Sequence, residues 1–276
     1  MSTVLLLTAE SLPHEDLDTQ LLAGALTELG IGSSTVPWTL VTDRTDADLA
    51  VIRTTWDYTS RREEFLGFLE SLPMPVVNPS AVARWNSHKG YLAELGAAGV
   101  PVVPVTMVAQ GGQALIPAVG ADRIIVKPAI SAGARGVGLF ASDDPAAAEH
   151  LAALIEVGDA LVQPFEASVA EGERSLLYLG GAFSHAIRKI PADGDFRVQT
   201  RYGGQNLPHR AGPAELAAAQ AALDRVDAEL LYARVDLVGT TESPLVMELE
   251  LIEPELFLPM APGSAELLAA AIAALL

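Results

Sequence analysis

The sequence predicts an α/β fold, α+β in parts, with a parallel β/α unit first and two α+β sections behind it. Three observations predict it. Apolar runs and helical stretches alternate through the opening part of the 276 residues, the pattern of a small parallel sheet. A strand-rich middle then carries a glycine hairpin around Gly180-Gly181. Two apolar strands with carboxylates inside them precede a closing helix: Arg234-Val235-Asp236-Leu237-Val238 and Val246-Met247-Glu248-Leu249-Glu250-Leu251-Ile252. The sections divide the chain at 1–86, 87–164 and 165–276.

In chain order, residues 4–8 form an apolar strand and 16–29 a helix that Gly30 stops. Residues 49–53 are a second strand, 61–71 a helix, and Val76-Val77 a short strand before Asn78-Pro79. A helix over 89–98 ends at Gly99, and 101–108 opens the strand-rich section. Strands follow at 124–127, 136–140 and 160–163, with an alanine-rich helix at 145–155. Strands 176–179 and 182–189 flank the paired glycines. A long helix over 214–231 leads into the acidic strands, and 265–276 is the last helix. No repeat of fixed period is present.

With 17 Lys and Arg against 35 Asp and Glu, the formal net charge is −18, which disfavours nucleic acid and anionic membranes as partners. The absence of cysteine removes disulfides, thiolate zinc sites and cysteine nucleophiles together. The histidines lack metal-ligand spacing, and no glycine-flanked serine elbow marks a serine hydrolase. Met1-Ser2-Thr3-Val4-Leu5-Leu6-Leu7 lacks a basic flank and is read as a strand, not a signal peptide. The apolar runs fall short of a membrane span, so the expectation is a cytoplasmic protein.

Side chains alternate along a strand, so Glu248 and Glu250 share a face. Two carboxylates that close on apolar strands repel and lose solvation, and a hard cation such as Mg²⁺ relieves both. An amphipathic strand with a wet outer face is the competing account. Lys127 ends a β-branched strand before Pro128-Ala129-Ile130-Ser131-Ala132-Gly133-Ala134-Arg135-Gly136. Small residues there let backbone N–H groups approach a phosphate, with the lysine as a point charge; a plain glycine hairpin is the alternative. The spacing is neither a Walker A loop nor a dinucleotide fingerprint.

Gln163-Pro164-Phe165 ends its strand, because proline cannot donate, and frees backbone groups for the edge of a purine. Glu171-Gly172-Glu173-Arg174 follows as an acid near a ribose, or simply as a charged turn. Arg188, Lys189, Arg197, Arg201, His209 and Arg210 concentrate positive charge in an acidic chain, fitting an anionic ligand or a solvated basic loop. Arg53-Thr54-Thr55-Trp56-Asp57-Tyr58 follows a strand at the end where open α/β sheets bind ligands. Arg53 there suits a substrate carboxylate with Trp56 and Tyr58 as walls, unless the aromatics only staple the loop to the core.

Taken in order, Arg53, Lys89, Lys127 with its loop, Gln163-Pro164-Phe165, Glu173-Arg174, Gly194-Asp195-Phe196-Arg197, Asp236 and Glu248-x-Glu250 resemble the ATP-grasp ligases over nearly the whole chain. The likeness is to the bacterial glutathione synthetase and ribosomal-protein glutamate ligase branch. Trp56-Asp57-Tyr58 and Trp85-Asn86 further resemble its subgroup of cycloserine-type cyclo-ligases. The resemblance implies an ATP-grasp fold: a preceding β/α domain, a central lid and a C-terminal metal-bearing subdomain that clasp ATP.

It implies that Lys89 and Lys127 bind ATP phosphates beside Ser131, Gly133 and Gly136. Gln163, Pro164 and Phe165 form the adenine hinge, and Glu173 holds the ribose. Asp236, Glu248 and Glu250 hold two Mg²⁺ ions, with Mn²⁺ as the alternative ion. Arg174 and Arg197, with Lys127, face the transferred phosphoryl group. Arg53, Trp56, Asp57, Tyr58, Arg188 and Glu253 meet the substrate, Glu253 at an ammonium group. The family usually has asparagine at the position of Glu250, so the metal site here carries extra negative charge. The implied activity joins small amino acids as an ADP-forming carboxylate–amine ligase through an acylphosphate. A cyclo-ligase that closes a ring, and an ATP-binding regulator without turnover, are the alternatives. Amino acids are the implied partners, with a homodimer as the assembly.

Overall fold

The computed structural model describes residues 2–42 and 45–276. Its first sheet is parallel throughout, in the order β2-β1-β3-β4: β1 (Thr3–Thr8), β2 (Gly32–Pro37), β3 (Leu49–Thr54) and β4 (Val76–Val77). Helices α1 (Leu17–Glu28) and α2 (Arg62–Ser71) lie between its strands, and α3 (Ser80–Asn86) and α4 (Tyr91–Ala97) follow. Asp16 starts α1 by accepting the Thr19 N–H at 2.9 Å, which satisfies one of the helix's orphan donors.

The second sheet is antiparallel, β5-β8-β6-β7: β5 (Thr106–Val108), β6 (Arg123–Pro128), β7 (Gly138–Ala141) and β8 (Ala160–Pro164). Helix α5 (Pro145–Val157) covers it. The third is also antiparallel, β11-β10-β9-β12-β13: β9 (Glu173–Leu179), β10 (Ala182–Ile190), β11 (Gln205–His209), β12 (Tyr232–Gly239) and β13 (Pro244–Glu250). Helices α6 (Pro213–Leu223) and α7 (Ser264–Ala273) complete the chain. Among the described residues, no helix is long and apolar enough to cross a membrane.

The cores explain how these layers hold together. Val4 and Leu6 of β1 and Leu22 and Leu26 of α1 share one apolar cluster with Leu177, Tyr232, Leu268 and Ile272. The first sheet is therefore sealed by the last helix of the chain. Val82, Tyr91, Leu92 and Leu95 pack instead with Leu176, Val235, Val246 and Leu249, which assigns α3 and α4 to the third sheet by packing. Only the second sheet keeps a core to itself, from Ile124, Val126, Leu151, Ile155 and Val162. Each fully buried leucine or isoleucine contributes about 1.5–3 kcal/mol to these clusters.

Several elements differ from the sequence reading. The helix expected over 214–231 stops at Leu223, where Asp224 caps it and Val226 N–H turns back to the Leu223 carbonyl at 2.9 Å. The alanine-rich part is helical as its propensity demands, and Val226, Ala228 and Leu230 beyond it pack on the third sheet instead of continuing the helix. The helix expected from Lys89 begins at Tyr91, and the Lys89 N–H is held by the Ala129 carbonyl at 2.8 Å. The strand expected from Gly136 begins at Gly138. Strands β2 and β11 and helix α3 were not expected at all. The first two are polar edge strands, half exposed, without the apolar alternation that marks a strand in sequence.

Candidate active site

A cleft opens between the second and third sheets. Its upper wall comes from the ends of β6 and β8, its lower wall from β9, β13 and the connection before β11. Lys127 stands next to last in β6 and faces this cleft while 7 % exposed. It has no ion-pair partner among the described residues. Burial pushes its ammonium down to about 8, against the pull of the Glu248 carboxylate and with the push of nearby Lys89. A buried, unpaired lysine in a cleft is a group prepared for an anion.

Lys89 reaches across the cleft mouth, donating to the Ser131 carbonyl at 2.7 Å and pairing with Glu248 at 3.0 Å. It ties the small-residue loop to the third sheet. Gly133, at φ +59°, leaves room for a neighbour that a Cβ would displace: the Arg201 guanidinium would lie only 2.7 Å from it. Arg135 carries the same loop to the first sheet's side, donating to the Trp56 carbonyl at 3.1 Å and to the Thr59 hydroxyl at 2.6 Å. The loop is thus held by contacts from three directions.

On the hinge side, the Gln163 amide nitrogen is buried with no hydrogen-bond partner and lines the cleft. Leaving such a donor unpaired costs about 1–3 kcal/mol, so it is a group waiting for an acceptor. Phe165, Phe196, Val169 and Met247 supply the apolar surface on which a flat ring can rest.

The floor is a row of charges on one face of the third sheet. Asp236 lies opposite Glu248 and Ser175, and Arg234 opposite Glu250. Asp236 accepts from Ser175 at 2.6 Å, from Lys189 at 3.0 Å and from Arg234 at 3.0 Å. Lys189 also pairs with Glu173, and Arg234 with Glu250. Burial opposes the charge on Asp236, but Arg234 and Lys189 outweigh it and hold its carboxyl well below the usual range. Burial wins at Glu173 and Glu250, which rise to about 7.

Comparison with known proteins places this geometry. Residues 97–253 match the family described as prokaryotic glutathione synthetase, ATP-grasp domain. The chain belongs to the ATP-grasp ligases. Residues 4–78 match the N-terminal domain described for D-cycloserine synthetase DcsG. Along 96 % of the chain and 95 % of its relative, it is 35 % identical to the cycloserine biosynthesis protein DcsG of Streptomyces lavendulae. A probable alpha-L-glutamate ligase of Legionella pneumophila is 28 % identical over 67 % of the chain and 61 % of its own length. The crystal structure of D-cycloserine synthetase DcsG superposes with a TM-score of 0.87 at 32 % identity, covering 99 % of both chains. D-alanine–D-alanine ligase from Bacillus anthracis, at 14 % identity, shares the fold with a TM-score of 0.70 over 99 % of this chain and 97 % of its own. The protein is thus an ATP-dependent ligase of the carbon–nitrogen-bond-forming kind, and its family uses ATP with a divalent metal.

The cleft between the second and third sheets gathers Lys89, Lys127, Ser131, Gly133, Gln163, Pro164, Phe165, Glu173, Arg197 and Glu248 on its lining. Arg197 is oriented by Asp195 at 2.8 Å and lies 3.7 Å from the Tyr202 ring centroid. Other expected residues stand elsewhere. Arg174 does not face the cleft: it is buried with its Nε 2.7 Å from Glu215, and its other nitrogens donate to the carbonyls of Val238 and Gly239. Strand alternation puts it on the opposite face from Glu173. Gly136 is not on the lining; a Cβ there would meet the Pro128 ring, and its φ of +71° makes the turn into β7. The Phe165 N–H, expected to be free for a purine, is taken by the Arg123 carbonyl at 2.9 Å.

At the substrate end, Asp57 accepts the Trp38 indole N–H at 3.0 Å and Tyr58 packs on Phe65, so both staple the loop to the core. Trp56 lines a second cavity. Arg188 donates to the Glu171 carbonyl and is not in the cleft. Among the described residues Glu253 has no ion-pair partner, and burial pushes it up to about 8. The sequence reading overlooked Arg234 and undervalued Lys189. Arg234 was legible, being two residues before Asp236 and so on the same strand face. Lys189 joins only through the cross-strand register with Glu173.

Asp236, Glu248 and Glu250 offer only carboxylate oxygens, the donors a hard divalent ion takes. The chemistry fits, and Glu248 already opens on the cleft. Asp236 and Glu250 are turned to Arg234 and Lys189, and among the described residues no three carboxylates or imidazoles converge as a ready metal site.

The depressed Lys127 titration has a kinetic consequence. In free enzyme, kcat/KM for ATP falls as pH rises through about 8, by up to about tenfold per pH unit. Lys127→Arg, which keeps its charge, flattens that fall even where its absolute rate is lower. A wild-type profile that stays level to pH 10 excludes Lys127 from phosphate binding.

Proposed function

We propose that this ATP-grasp ligase phosphorylates the carboxylate of a small amino acid in the described cleft and passes the acyl group to an amine. The observation that carries the reading is the pairing, in one cleft, of an unpartnered buried lysine with an unpartnered buried amide donor. Lys127 and Lys89 neutralise phosphate oxygens, and the Gln163 amide and the aromatic shelf receive the base. Glu173 supplies an acceptor for ribose hydroxyls. Arg197, with its fork aligned by Asp195, stabilises the oxyanion when the amine attacks; the amine loses a proton and phosphate departs. No protein nucleophile takes part.

The chemistry a bound divalent ion supplies is charge neutralisation on the phosphate oxygens. Asp236, Glu248 and Glu250 would hold it once Lys189 and Arg234 yield, and the reading keeps two magnesium ions, or manganese in their place. It also keeps residues 1–86, 87–164 and 165–276 as preceding domain, lid and metal-bearing subdomain, while α3 and α4 pack on the third sheet.

Ring closure within one substrate is the second reading, favoured by the end-to-end likeness to a protein named for cycloserine biosynthesis. One experiment separates the two: phosphate release with ATP and Mg²⁺ against amino acids of both enantiomers, singly and in pairs, with product masses. The expected result is ADP formation that depends on an amino acid. A product equal to two substrates less one water marks ligation, and one substrate less one water marks ring closure. ATP binding without turnover for any of them sinks both and leaves a regulator.

A further inference from the structure

β13 is the end strand of the third sheet, so the outer edge of the strand that carries Glu248 and Glu250 has no full strand beside it. Main-chain groups buried on such an edge need partners, and here side chains supply most of them. The Tyr91 hydroxyl donates to the Leu249 carbonyl at 3.0 Å and accepts the Leu249 N–H at 2.9 Å. The Asn86 amide donates to the same carbonyl at 2.7 Å and accepts the Leu251 N–H at 2.9 Å. Further along, the Asn78 amide donates to the Leu251 carbonyl at 2.7 Å, and residues 101–103 bond to Val246. The peptide unit that follows Glu248, and those on either side of Glu250, are therefore held from outside the sheet.

Lys89 lies between Asn86 and Tyr91 in the chain, and all three are buried. Tyr91 packs in the apolar cluster that holds Val246 and Leu249, so α4 sits on that face of the third sheet. Strand alternation puts Glu248 on the other face. The Lys89 ammonium nevertheless pairs with Glu248 at 3.0 Å, which means that its side chain passes round the outer edge of β13. A strand paired there would close that path. Side-chain partners satisfy the edge and leave the path open. Lys89 is thereby anchored to the third sheet, whereas Lys127 belongs to β6 of the second.

We infer that Tyr91 and Asn86 are positioning residues of the nucleotide cleft: by clasping the main chain at Leu249 and Leu251 they fix Lys89 against Glu248. They so set where one phosphate-binding lysine stands relative to the other. The inference rests on the ligase reading and adds how its cleft keeps its shape. Neither side chain is on the cleft lining, so both act through Lys89 and Glu248. A lysine displaced by a fraction of its hydrogen-bond length loses part of a charge-assisted contact to phosphate, and that is the quantity the clasp controls.

The test is calorimetric titration of the whole protein with Mg²⁺ and a non-hydrolysable ATP analogue. Tyr91→Phe removes the hydroxyl and keeps the ring, and Asn86→Ala removes the amide. Each should weaken the nucleotide about tenfold. Val82→Ala trims the same apolar cluster at a side chain with no hydrogen-bonding group, and it should lower Tm while leaving affinity unchanged. In a Lys89→Met background, Tyr91→Phe should weaken binding by less than about twofold more, because the group it positions is gone. Hydrogen exchange over residues 246–253 should quicken in Tyr91→Phe and Asn86→Ala, which reports the clasp directly. Wild-type affinity in Tyr91→Phe overturns the inference, as does an equal loss in Val82→Ala. A full tenfold loss from Tyr91→Phe on top of Lys89→Met, or unchanged exchange in the variants, overturns it too. Failure of the ligase reading looks different: the variants weaken the nucleotide as expected, and the wild type forms no ADP with any amino acid.

Discussion

Replacing Glu248 with glutamine lowers ADP-forming turnover by about 10²-fold or more and leaves the fold intact. Glu248 is a floor carboxylate open to the cleft, with its side chain 28 % exposed. It holds Lys89 in place over the Ser131 carbonyl, and Lys89 and Lys127 keep it ionised against the cost of its burial. Glutamine preserves the size and removes the charge that orders both lysines. Because the site is partly open, the loss falls on chemistry and not on folding. Phosphate release beside a denaturant melt checks this, and a near-normal rate takes Glu248 out of the active site.

Arg234→Ala should have the opposite signature: a loss of stability of about 3–5 kcal/mol. Arg234 is 8 % exposed and serves Asp236, Glu250 and the Glu255 carbonyl. Its removal leaves buried carboxylates with Lys189 as their remaining close cation. The shape of the side chain matters less than its charge, so Arg234→Met should lose nearly as much. Neutralising the partners at the same time, with Asp236→Asn and Glu250→Gln, should recover most of it. Urea unfolding of the single and combined variants measures the coupling. A single variant within about 1 kcal/mol of wild type would mean the row of charges is not what holds these strands in register.

Much of this site was legible because its parts are local. Lys127 with its loop, and Glu248 with Glu250, are each defined by neighbours within a few residues, and strand periodicity alone gives their shared direction. Arg174 shows where that ends. Adjacent in sequence to Glu173, it was expected beside it in the cleft, yet adjacency on a strand means opposite faces, and Glu215 on α6 was there to receive it. Tyr58, expected as a substrate wall, and Asp57, expected at the substrate, are turned to the core for a related reason: whether a side chain lines a pocket or a core depends on what packs against it, here Phe65 and Trp38. The end of α6 at Leu223 was not legible, since the apolar contacts that pull 226–230 onto the sheet come from distant strands.

The amino-acid sequence alone determined the α/β plan, the family resemblance and the chemistry available: lysines near a glycine loop, carboxylates on apolar strands, no thiol. Those follow from side-chain type and from periods of a few residues. Tertiary structure decided the electrostatics. It set which carboxylates are already neutralised by Arg234 and Lys189, and which buried donors are orphaned among the described residues, at Gln163 and Arg53. The physical reason is that charge interactions depend on distance and desolvation, and both are fixed by strands that meet across the sheet after long separations in sequence.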